Sequence, residues 1–323
     1  MKSRKPYALR RGVVSLVGVC VTVLLVALIA FGLSYLSPTD AATHSFSAMG
    51  VSPTAEQLAA KRHELGLDQP FFVQFGTWLA RVAQGDLGES FHTGASVASM
   101  LFGALPYTLA LAVTSMALTL AIAVPLGLIS AARRGGILDN VLRVITYFFN
   151  AMPSFFIALL LLYVFAVQLH WFNVLAARDF SGIIMPTLAI ALPLSAWFMR
   201  QVRASAIEEL GRPYVDGLRA RGVSEARILW VHVLRNMGVP LLTLIGVSFG
   251  MMLSGSAIVE SVFGWPGVGL ASIEAVGARD YPFIGAYALA MAVLYLLLNA
   301  LVDASYGIVD RRLRRKREGA LDA

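Results

Sequence analysis

The sequence predicts an all-α integral membrane protein with six membrane-spanning helices. Hydrophobic residues make up 58% of the 323 residues and charged residues only 14%, and the mean hydropathy is +0.72. Soluble domains carry about a quarter charged residues, so the composition excludes a soluble globular protein. Six stretches reach the length of about 20 residues that a helix needs to cross the hydrocarbon core: 13–36, 108–131, 141–169, 183–199, 240–263 and 283–309. The fourth is the least regular, because Pro186 and Pro193 interrupt it.

The basic residues predict the orientation of the chain. Most of the 26 lysines and arginines flank one end of the predicted spans, and those left for the other side are Lys61, Arg62, Arg81, Arg178 and Arg279. Because cytoplasmic loops are enriched in basic residues, we expect both termini in the cytoplasm. Contact of this face with anionic membrane lipid accounts for the net charge of +7, so nucleic acid is not an expected partner. The first apolar run is longer than that of a signal peptide, which predicts an uncleaved anchor.

These boundaries divide the chain into segments. We expect a cytoplasmic N-terminus at 1–12, the first span at 13–36, an extracytoplasmic segment at 37–107, a core of five spans at 108–309 and a basic cytoplasmic tail at 310–323. Within the extracytoplasmic segment, helical spacing in 55–65 and 72–82 predicts two short helices separated by a turn at 68–70. Their aromatic residues are expected to hold a small cap together rather than to bind a ligand.

The cytoplasmic loop 200–236 carries the most informative pattern in the chain. Pro213 suits the first turn of a helix and Gly222 suits the left-handed position after one, so a short helix is expected between them. Ser224 is expected to cap a second helix, with Glu225 in its first turn. On the first helix, three apolar side chains share one side and three charged side chains point elsewhere: Tyr214, Val215 and Leu218 against Asp216, Arg219 and Arg221.

Two interpretations of this helical hairpin follow from its pattern. In one, the hairpin rests with its apolar side on the lipid headgroups. In the other, the first helix docks its apolar side into a groove on a soluble partner. The pattern alone leaves both open.

Acidic residues and a stripe of small residues lie within or near the last two spans. Glu260, near the outer end of the fifth span, and Asp303, near the inner end of the sixth, are candidates for lining a pathway through the membrane or for a structural role. In the fifth span, Gly246 and Gly250 form a Gly-x-x-x-Gly pattern that Ser254 extends. Such a stripe predicts close helix packing, here against a second membrane subunit.

No enzymatic motif is visible in the sequence. A phosphate-binding loop requires a Gly-Lys dipeptide, which is absent. The five histidines have no metal-ligand spacing. The string GVSFG at 246–250 matches Gly-x-Ser-x-Gly, but it lies inside a predicted membrane-spanning helix rather than at the strand-to-helix turn of a nucleophile elbow. The chain is therefore not expected to be an enzyme or to hold a metal, and any energy that it uses is expected to come from another subunit.

A series of motifs resembles the permease subunits of ATP-binding-cassette (ABC) importers. The chain is similar to the first permease type of the peptide and nickel branch, and the motifs follow the order of that family over nearly the whole chain. They are LGLDQP at 65–70, GDLG at 85–88, NAMP at 150–153, RARG at 219–222, HVLRN at 232–236, ESVFGWPGVG at 260–269, RDYP at 279–282 and VDASY at 302–306.

The resemblance implies a fold, a location and a set of partners. It implies a type I ABC importer permease fold and a multi-pass position in the bacterial cytoplasmic (inner) membrane. The implied partners are a second homologous permease subunit, two ATP-binding subunits and an extracytoplasmic substrate-binding protein. ATP and magnesium belong to the ATP-binding subunits, and no cofactor is expected on this chain.

The resemblance also assigns a role to the loop 200–236. It corresponds to the coupling (EAA) loop of the family, whose short helix docks into a cleft of the ATP-binding subunit. The residues assigned to coupling are Tyr214, Asp216, Leu218, Arg219, Ala220, Arg221 and Gly222. Of the family pattern Glu-Ala-Ala-x-x-x-Gly, only Gly222 is retained, with Asp216 in place of the glutamate. The common motifs after the first span and near the C-terminus are also altered, at 37–40 and 310–312.

The substrate is predicted from a loop length. The segment 170–182 between the third and fourth spans is short, as in nickel and metal-chelate members of the family. It favours nickel or a metallophore complex over a dipeptide or oligopeptide, which remains the alternative. An ion-coupled secondary transporter would need broken helices in paired halves, and an intramembrane enzyme would need catalytic residues at matching depth. Neither pattern is visible, since Glu260 and Asp303 lie at opposite ends of their spans.

Overall fold

The computed structural model describes residues 5–36, 40–48 and 50–309, which are largely helical. The predicted basic tail at 310–323 and most of the altered motif at 37–40 lie outside the described residues. The helices follow in the order α1 (Lys5–Tyr35), α2 (Ala41–Ala48), α3 (Ala55–Glu64), α4 (Phe71–Ala83), α5 (Val97–Ala132), α6 (Ile137–Ala151), α7 (Ser154–Leu161), π1 (Leu162–Gln168), α8 (Ile184–Leu210), α9 (Pro213–Ala220), α10 (Glu225–Arg227), π2 (Ile228–Val233), α11 (Leu234–Asn236), α12 (Gly238–Phe263), α13 (Val268–Ala278) and α14 (Tyr281–Val309).

Each predicted span coincides with helical structure. The first, second and sixth correspond to α1, α5 and α14, and the fourth and fifth to α8 and α12. The third was predicted as one continuous helix, which is wrong. Met152 is extended and Pro153 precedes α7, because the residue before a proline disfavours the helical conformation. The two halves of this span, Ile137–Ala151 and Ser154–Gln168, meet at 97°.

Length and apolar composition distinguish these helices from one another. Three single helices of the described residues are long and apolar enough to cross a membrane, namely Val17–Tyr35, Val97–Ala132 and Tyr281–Tyr306, and the number rises to as many as six if each bent helix pair counts as one span. Helix α8 does not meet this test. Many of its residues are buried, so that neighbouring helices, rather than lipid, cover much of its surface.

The chain divides into two compact units, and the larger contains α8. This unit comprises Tyr107–Pro266 and Leu297–Ala323, as far as these residues are described. Within it, α8 packs against α6, α7 and α12. One apolar cluster of the unit centres on Phe198, Val202 and Ile228 and includes a residue of α9. This cluster therefore anchors the predicted coupling loop to the membrane helices.

The smaller unit comprises Met1–Pro106 and Gly267–Leu296, again as far as described. The start of α5, α13 and the start of α14 form its core. The buried carboxylate of Asp280 accepts hydrogen bonds from Ser90 Oγ at 2.5 Å and from the backbone N–H of Phe91 at 3.0 Å. The motif at 279–282 is thereby fixed to the loop that follows the motif at 85–88.

The two short helices predicted for residues 55–65 and 72–82 are present as α3 and α4. A capping box begins α3, in which Gln57 N–H donates to Thr54 Oγ1 at 3.3 Å and Thr54 N–H donates to Gln57 Oε1 at 2.9 Å. Three aromatic side chains of α4, those of Phe71, Phe75 and Trp78, pack on Phe31 of α1. Such ring packing is the structural role that the sequence predicts for them.

Candidate functional site

The predicted coupling segment has the helix–turn–helix form that the sequence indicates. Pro213 occupies the first turn of α9, and Gly222 has a φ of 75° in the turn after it. Two backbone hydrogen bonds close this turn, from Gly222 N–H to Arg219 O at 2.9 Å and from Val223 N–H to Leu218 O at 3.1 Å. A left-handed backbone at this position favours glycine. The geometry of the loop thus follows from the conformational preferences of Pro213 and Gly222.

The second helix of the segment differs from the prediction at its start. Ser224 is extended and precedes α10, but its side chain caps no N–H group. The adjacent Glu225 instead receives the guanidinium of Arg219, with Nε 2.7 Å from Oε1 and Nη2 3.2 Å from Oε2. The helix then continues through the π-helical segment π2 to Asn236. Charged contacts across the turn, rather than a serine cap, hold the two helices together.

The apolar side of α9 packs inside the chain. Val215 is fully buried, and Tyr214 and Leu218 are partly buried against the cluster that includes Val202 and Ile228. Burial raises the pKa of the Tyr214 phenol above its usual value. The chain itself therefore covers Val215 completely, while Tyr214 and Leu218 remain partly accessible, and contact of this side with lipid headgroups or with a groove on a partner stays a prediction.

The opposite side of α9 is exposed. We call it the outer face of α9, and it consists of Asp216, Gly217, Arg219, Ala220 and Arg221. The Asp216 side chain is 77% exposed, and Arg219 Nη1 lies 3.2 Å from its Oδ1. Because Arg219 also contacts Glu225, one guanidinium bridges two carboxylates. The outer face presents a fixed arrangement of charges to its surroundings.

A buried carboxylate ties the segment to the end of α8. Glu209 is 5% exposed. It accepts a hydrogen bond from Asn236 Nδ2 at 2.9 Å and forms an ion pair with Arg212 Nε at 2.8 Å. Arg212 precedes α9 and Asn236 ends α11, so this one side chain holds both ends of the segment.

A second buried carboxylate fixes α8 to the turn between α5 and α6. Asp139 accepts hydrogen bonds from Ser130 Oγ at 2.5 Å, from Gly135 N–H at 2.9 Å and from the guanidinium of Arg203. No role is predicted from the sequence for Asp139 or Glu209. An acidic residue beside a long apolar stretch is itself a signal of a paired, buried carboxylate, and Asp139 carries that signal.

The two acidic residues that were singled out near the spans lie in different environments. Glu260 is fully buried near the end of α12 and accepts a hydrogen bond from Thr108 Oγ1 at 2.8 Å. Asp303 is exposed on α14. The structure does not bring these two residues together in one site.

The predicted packing stripe on α12 contacts the same chain at its first position. A Cβ atom added to Gly246 would lie 3.3 Å from Val302 Cγ1 of α14, which is closer than an ordinary contact. Gly250 and Ser254 follow one and two turns later on α12, and the side chain of Ser254 lies outside the described part of the structure. Close packing at Gly246 therefore serves the fold of this chain.

Comparison with known proteins identifies the family. Residues 123–315 match the family described as "Binding-protein-dependent transport system inner membrane component". Residues 8–112 match the family described as "Binding-prot-dependent transport system membrane comp, N-term". The two matches together include most of the described helices.

Individual proteins support the same assignment. The chain is 36% identical over 318 residues to a Sinorhizobium fredii protein named "Probable peptide ABC transporter permease protein", which covers 95% of this chain and 99% of that protein. It is 33% identical over 310 residues to the "Glutathione transport system permease protein" of Salmonella choleraesuis, which covers 96% of this chain and 99% of that protein.

A solved structure shares the fold. An inward-facing structure of the MetNI methionine ABC transporter matches with a TM-score of 0.56 and 17% identity, over 65% of this chain and 96% of that one. The predicted type I fold is thus confirmed, as is the prediction of a transport subunit rather than an enzyme. The chain belongs to the multi-pass inner-membrane permease components of binding-protein-dependent ABC importers, in their peptide and nickel branch.

Proposed function

We propose that the outer face of α9 docks onto an ATP-binding subunit and transmits its movement to the membrane helices. The observation that carries this proposal is the difference in burial between the two sides of α9. Val215 on one side is buried in the chain, whereas Asp216, Gly217 and Ala220 on the other are exposed. A helix held by its own core and exposing a compact charged face is suited to recognition by a complementary surface.

Site-directed cross-linking tests this docking. The only cysteine of the chain is Cys20, so a Cys20→Ser chain provides a cysteine-free background. With Ala220→Cys, a short cross-linker should join the permease to the ATP-binding subunit in assembled transporter. Ala132→Cys is the matched control, because Ala132 is also an exposed alanine but lies at the end of α5. Equal cross-linking at both positions, or none at position 220 in assembled transporter, would contradict the proposal.

The partners supply the energy and the second half of the pathway. We propose that a second homologous permease completes the translocation pathway and that two ATP-binding subunits bind ATP and magnesium beneath the pair. An extracytoplasmic substrate-binding protein delivers the substrate, and this chain binds no cofactor. Purified chain free of other subunits should therefore not hydrolyse ATP. Hydrolysis that copurifies with the chain alone would overturn this assignment.

We propose a short peptide as the substrate. The names of the two relatives refer to peptide and glutathione, which is itself a small peptide, and the alignments extend over nearly the full length of each chain. Nickel or a metal-chelate complex is a second candidate, because the segment 170–182 is as short as in metal-transporting members of the family. In the structure, Ala176 N–H of this segment donates to Phe263 O at 2.7 Å.

Competition for uptake separates the two substrates. Vesicles that contain the assembled transporter and its binding protein should accumulate a labelled dipeptide or glutathione, and unlabelled peptide should compete. Radioactive nickel, offered alone and with a chelator, serves as the second arm. Nickel accumulation that peptide fails to reduce would reject the peptide and favour the metal complex.

A further inference from the structure

The helix α4 exposes an apolar face. Arg81 is the only charged residue among its 13 residues. Phe72 is 77% exposed and Val73 51% exposed, and the small residues Gly76 and Ala80 continue the same exposed side. A helix surface that faced water over this length would be expected to carry charged or polar side chains.

The neighbouring helix α3 shows what a water-exposed helix of this chain looks like. It belongs to the same segment and is separated from α4 by the short stretch 65–70. Its exposed residues include Glu56, Arg62, His63 and Glu64. Two adjacent helices of similar length therefore differ sharply in the character of their exposed surface, which indicates different surroundings.

The packing of α4 on α1 shows how the two helices are oriented relative to each other. Ring centroids of Phe71, Phe75 and Trp78 lie 5.4, 5.6 and 5.5 Å from that of Phe31. At 1.5 Å per residue, the stretch from position 71 to position 78 is about 10 Å long. One ring of α1 contacts side chains along this whole length, so α4 crosses α1 near Phe31 rather than running beside it.

The crossing point lies at the end of a membrane-spanning helix. Phe31 is one turn from Tyr35, where α1 ends. On the side of α1 opposite Phe31, Ile29 and Leu33 are exposed, as is Leu36 just after the helix end, and these side chains suit contact with lipid acyl chains. The apolar face of α4 thus lies at the level at which a lipid-exposed helix ends, and Tyr35 and Trp78 are aromatic residues of the kind that concentrate at the membrane–water boundary.

We propose that α4 lies in the headgroup boundary of the leaflet in which α1 ends, with Phe72 and Val73 inserted among the lipids. Amphipathic helices bind membranes in this position when their apolar face reaches the acyl boundary. Partly buried aromatic rings on the other face of α4, those of Phe71, Phe75 and Trp78, hold it against α1. The helix thereby fixes the level at which the segment 37–107 meets the bilayer.

Spin labelling of the complete transporter in lipid bilayers tests this position. On the Cys20→Ser background, single labels are placed at Phe72→Cys and Gly76→Cys. Leu33→Cys on α1 serves as the lipid reference and His63→Cys on α3 as the water reference. None of these replaces the rings that pack on Phe31. Collisions with oxygen, which partitions into lipid, are compared with collisions with chromium oxalate, which stays in water.

We expect the labels at positions 72 and 76 to favour oxygen, as at position 33, and the label at position 63 to favour chromium oxalate. The same preference for chromium oxalate at positions 72 and 76 would overturn the proposal. Protection from both reagents would also overturn it, since a protein partner would then cover the face. In a second measurement, a spin label at Ala80→Cys is compared with and without the changes Phe72→Ser and Val73→Ser. The two serines should weaken the insertion of α4, so that collisions of this label with chromium oxalate become more frequent.

Discussion

Arg203 of α8 binds both carboxylate oxygens of Asp139 at the start of α6, with Nε 2.7 Å from Oδ1 and Nη2 2.8 Å from Oδ2. The carboxylate is fully buried, and Ser130 and the backbone of Gly135 provide its further hydrogen bonds. Removal of one partner from such a pair leaves an uncompensated buried charge. The pair therefore makes the turn between α5 and α6 dependent on α8, the helix that precedes the predicted coupling segment.

We expect Asp139→Ala or Arg203→Ala alone to lower the free energy of unfolding by about 3–5 kcal/mol. The double variant should cost less than the sum of the two, because neither charge is then left alone. Arg143→Ala is the control: its Nε lies 3.8 Å from Asp139 Oδ2 and its side chain is 42% exposed, so a change below about 1 kcal/mol is expected. Denaturant unfolding of the purified chain in detergent measures all four. Additive losses in the double variant would contradict a coupled pair.

Gly222→Val should impair transport because it strains the backbone of the turn. A Cβ atom at this position would meet nothing within 4 Å, so space is available, but an L-residue at a φ of 75° costs on the order of 1–2 kcal/mol. We expect normal insertion, with uptake lost through misdirection of α9. Gly103→Ala is the control, since Gly103 also has open space but is helical and lies in α5 rather than on the outer face of α9. Membrane abundance, copurification of the ATP-binding subunit and uptake are measured together. Normal uptake by Gly222→Val at wild-type abundance would mean that the turn is not a fitted coupling element.

Asp216→Lys should weaken assembly with the ATP-binding subunit. The change reverses a charge on the outer face and releases Arg219 from one of its two carboxylates. Glu208→Lys is a close control, because Glu208 is an acidic residue with a side chain that is also 77% exposed and paired with an arginine. Both variants should fold, since both residues are solvent-exposed. Equal losses of ATP-binding subunit from the two variants would argue against a specific role for Asp216.

The distribution of basic residues predicts the topology of the chain. We propose that both termini are cytoplasmic and that the segment 37–107 is extracytoplasmic, because only five lysines and arginines are left for the outer side. A reporter enzyme fused after Val309 should therefore report a cytoplasmic position, and one fused near Gln84 an external position. A C-terminal fusion that reads external would reject the arrangement.

The sequence predicts local structure well where a proline or a glycine marks the end of a helix. Pro213 and Gly222 bound the helix α9 and its turn as predicted, because each residue has a strong conformational preference of its own. Amphipathic spacing also identifies the apolar side of α9, but it does not say what covers that side. Both interpretations place an external surface against it, whereas Val215 of this side is buried in the cluster of the same chain that includes Val202 and Ile228.

Contacts between distant positions could not be predicted in the same way. Asp139 and Arg203 are separated by 64 positions in the chain, and Glu209 and Asn236 by 27. Their pairing depends on how helices pack, which hydrophobic spacing does not specify. The bend of the third span is a different case. Pro153 was visible in the sequence, and its effect on Met152 follows from local sterics.

The attachment of Arg212 and Asn236 to Glu209 has a mechanical consequence. Because both ends of the segment are held at the same point of α8, a push on α9 cannot be absorbed by stretching the intervening loop. At 1.5 Å per residue, α8 is a rod about 40 Å long, so a displacement of about 2 Å at this end tilts it by about 3°. Pro193, which lacks an N–H group in the interior of this helix, divides it into two parts, 184–192 and 194–210, that can tilt separately.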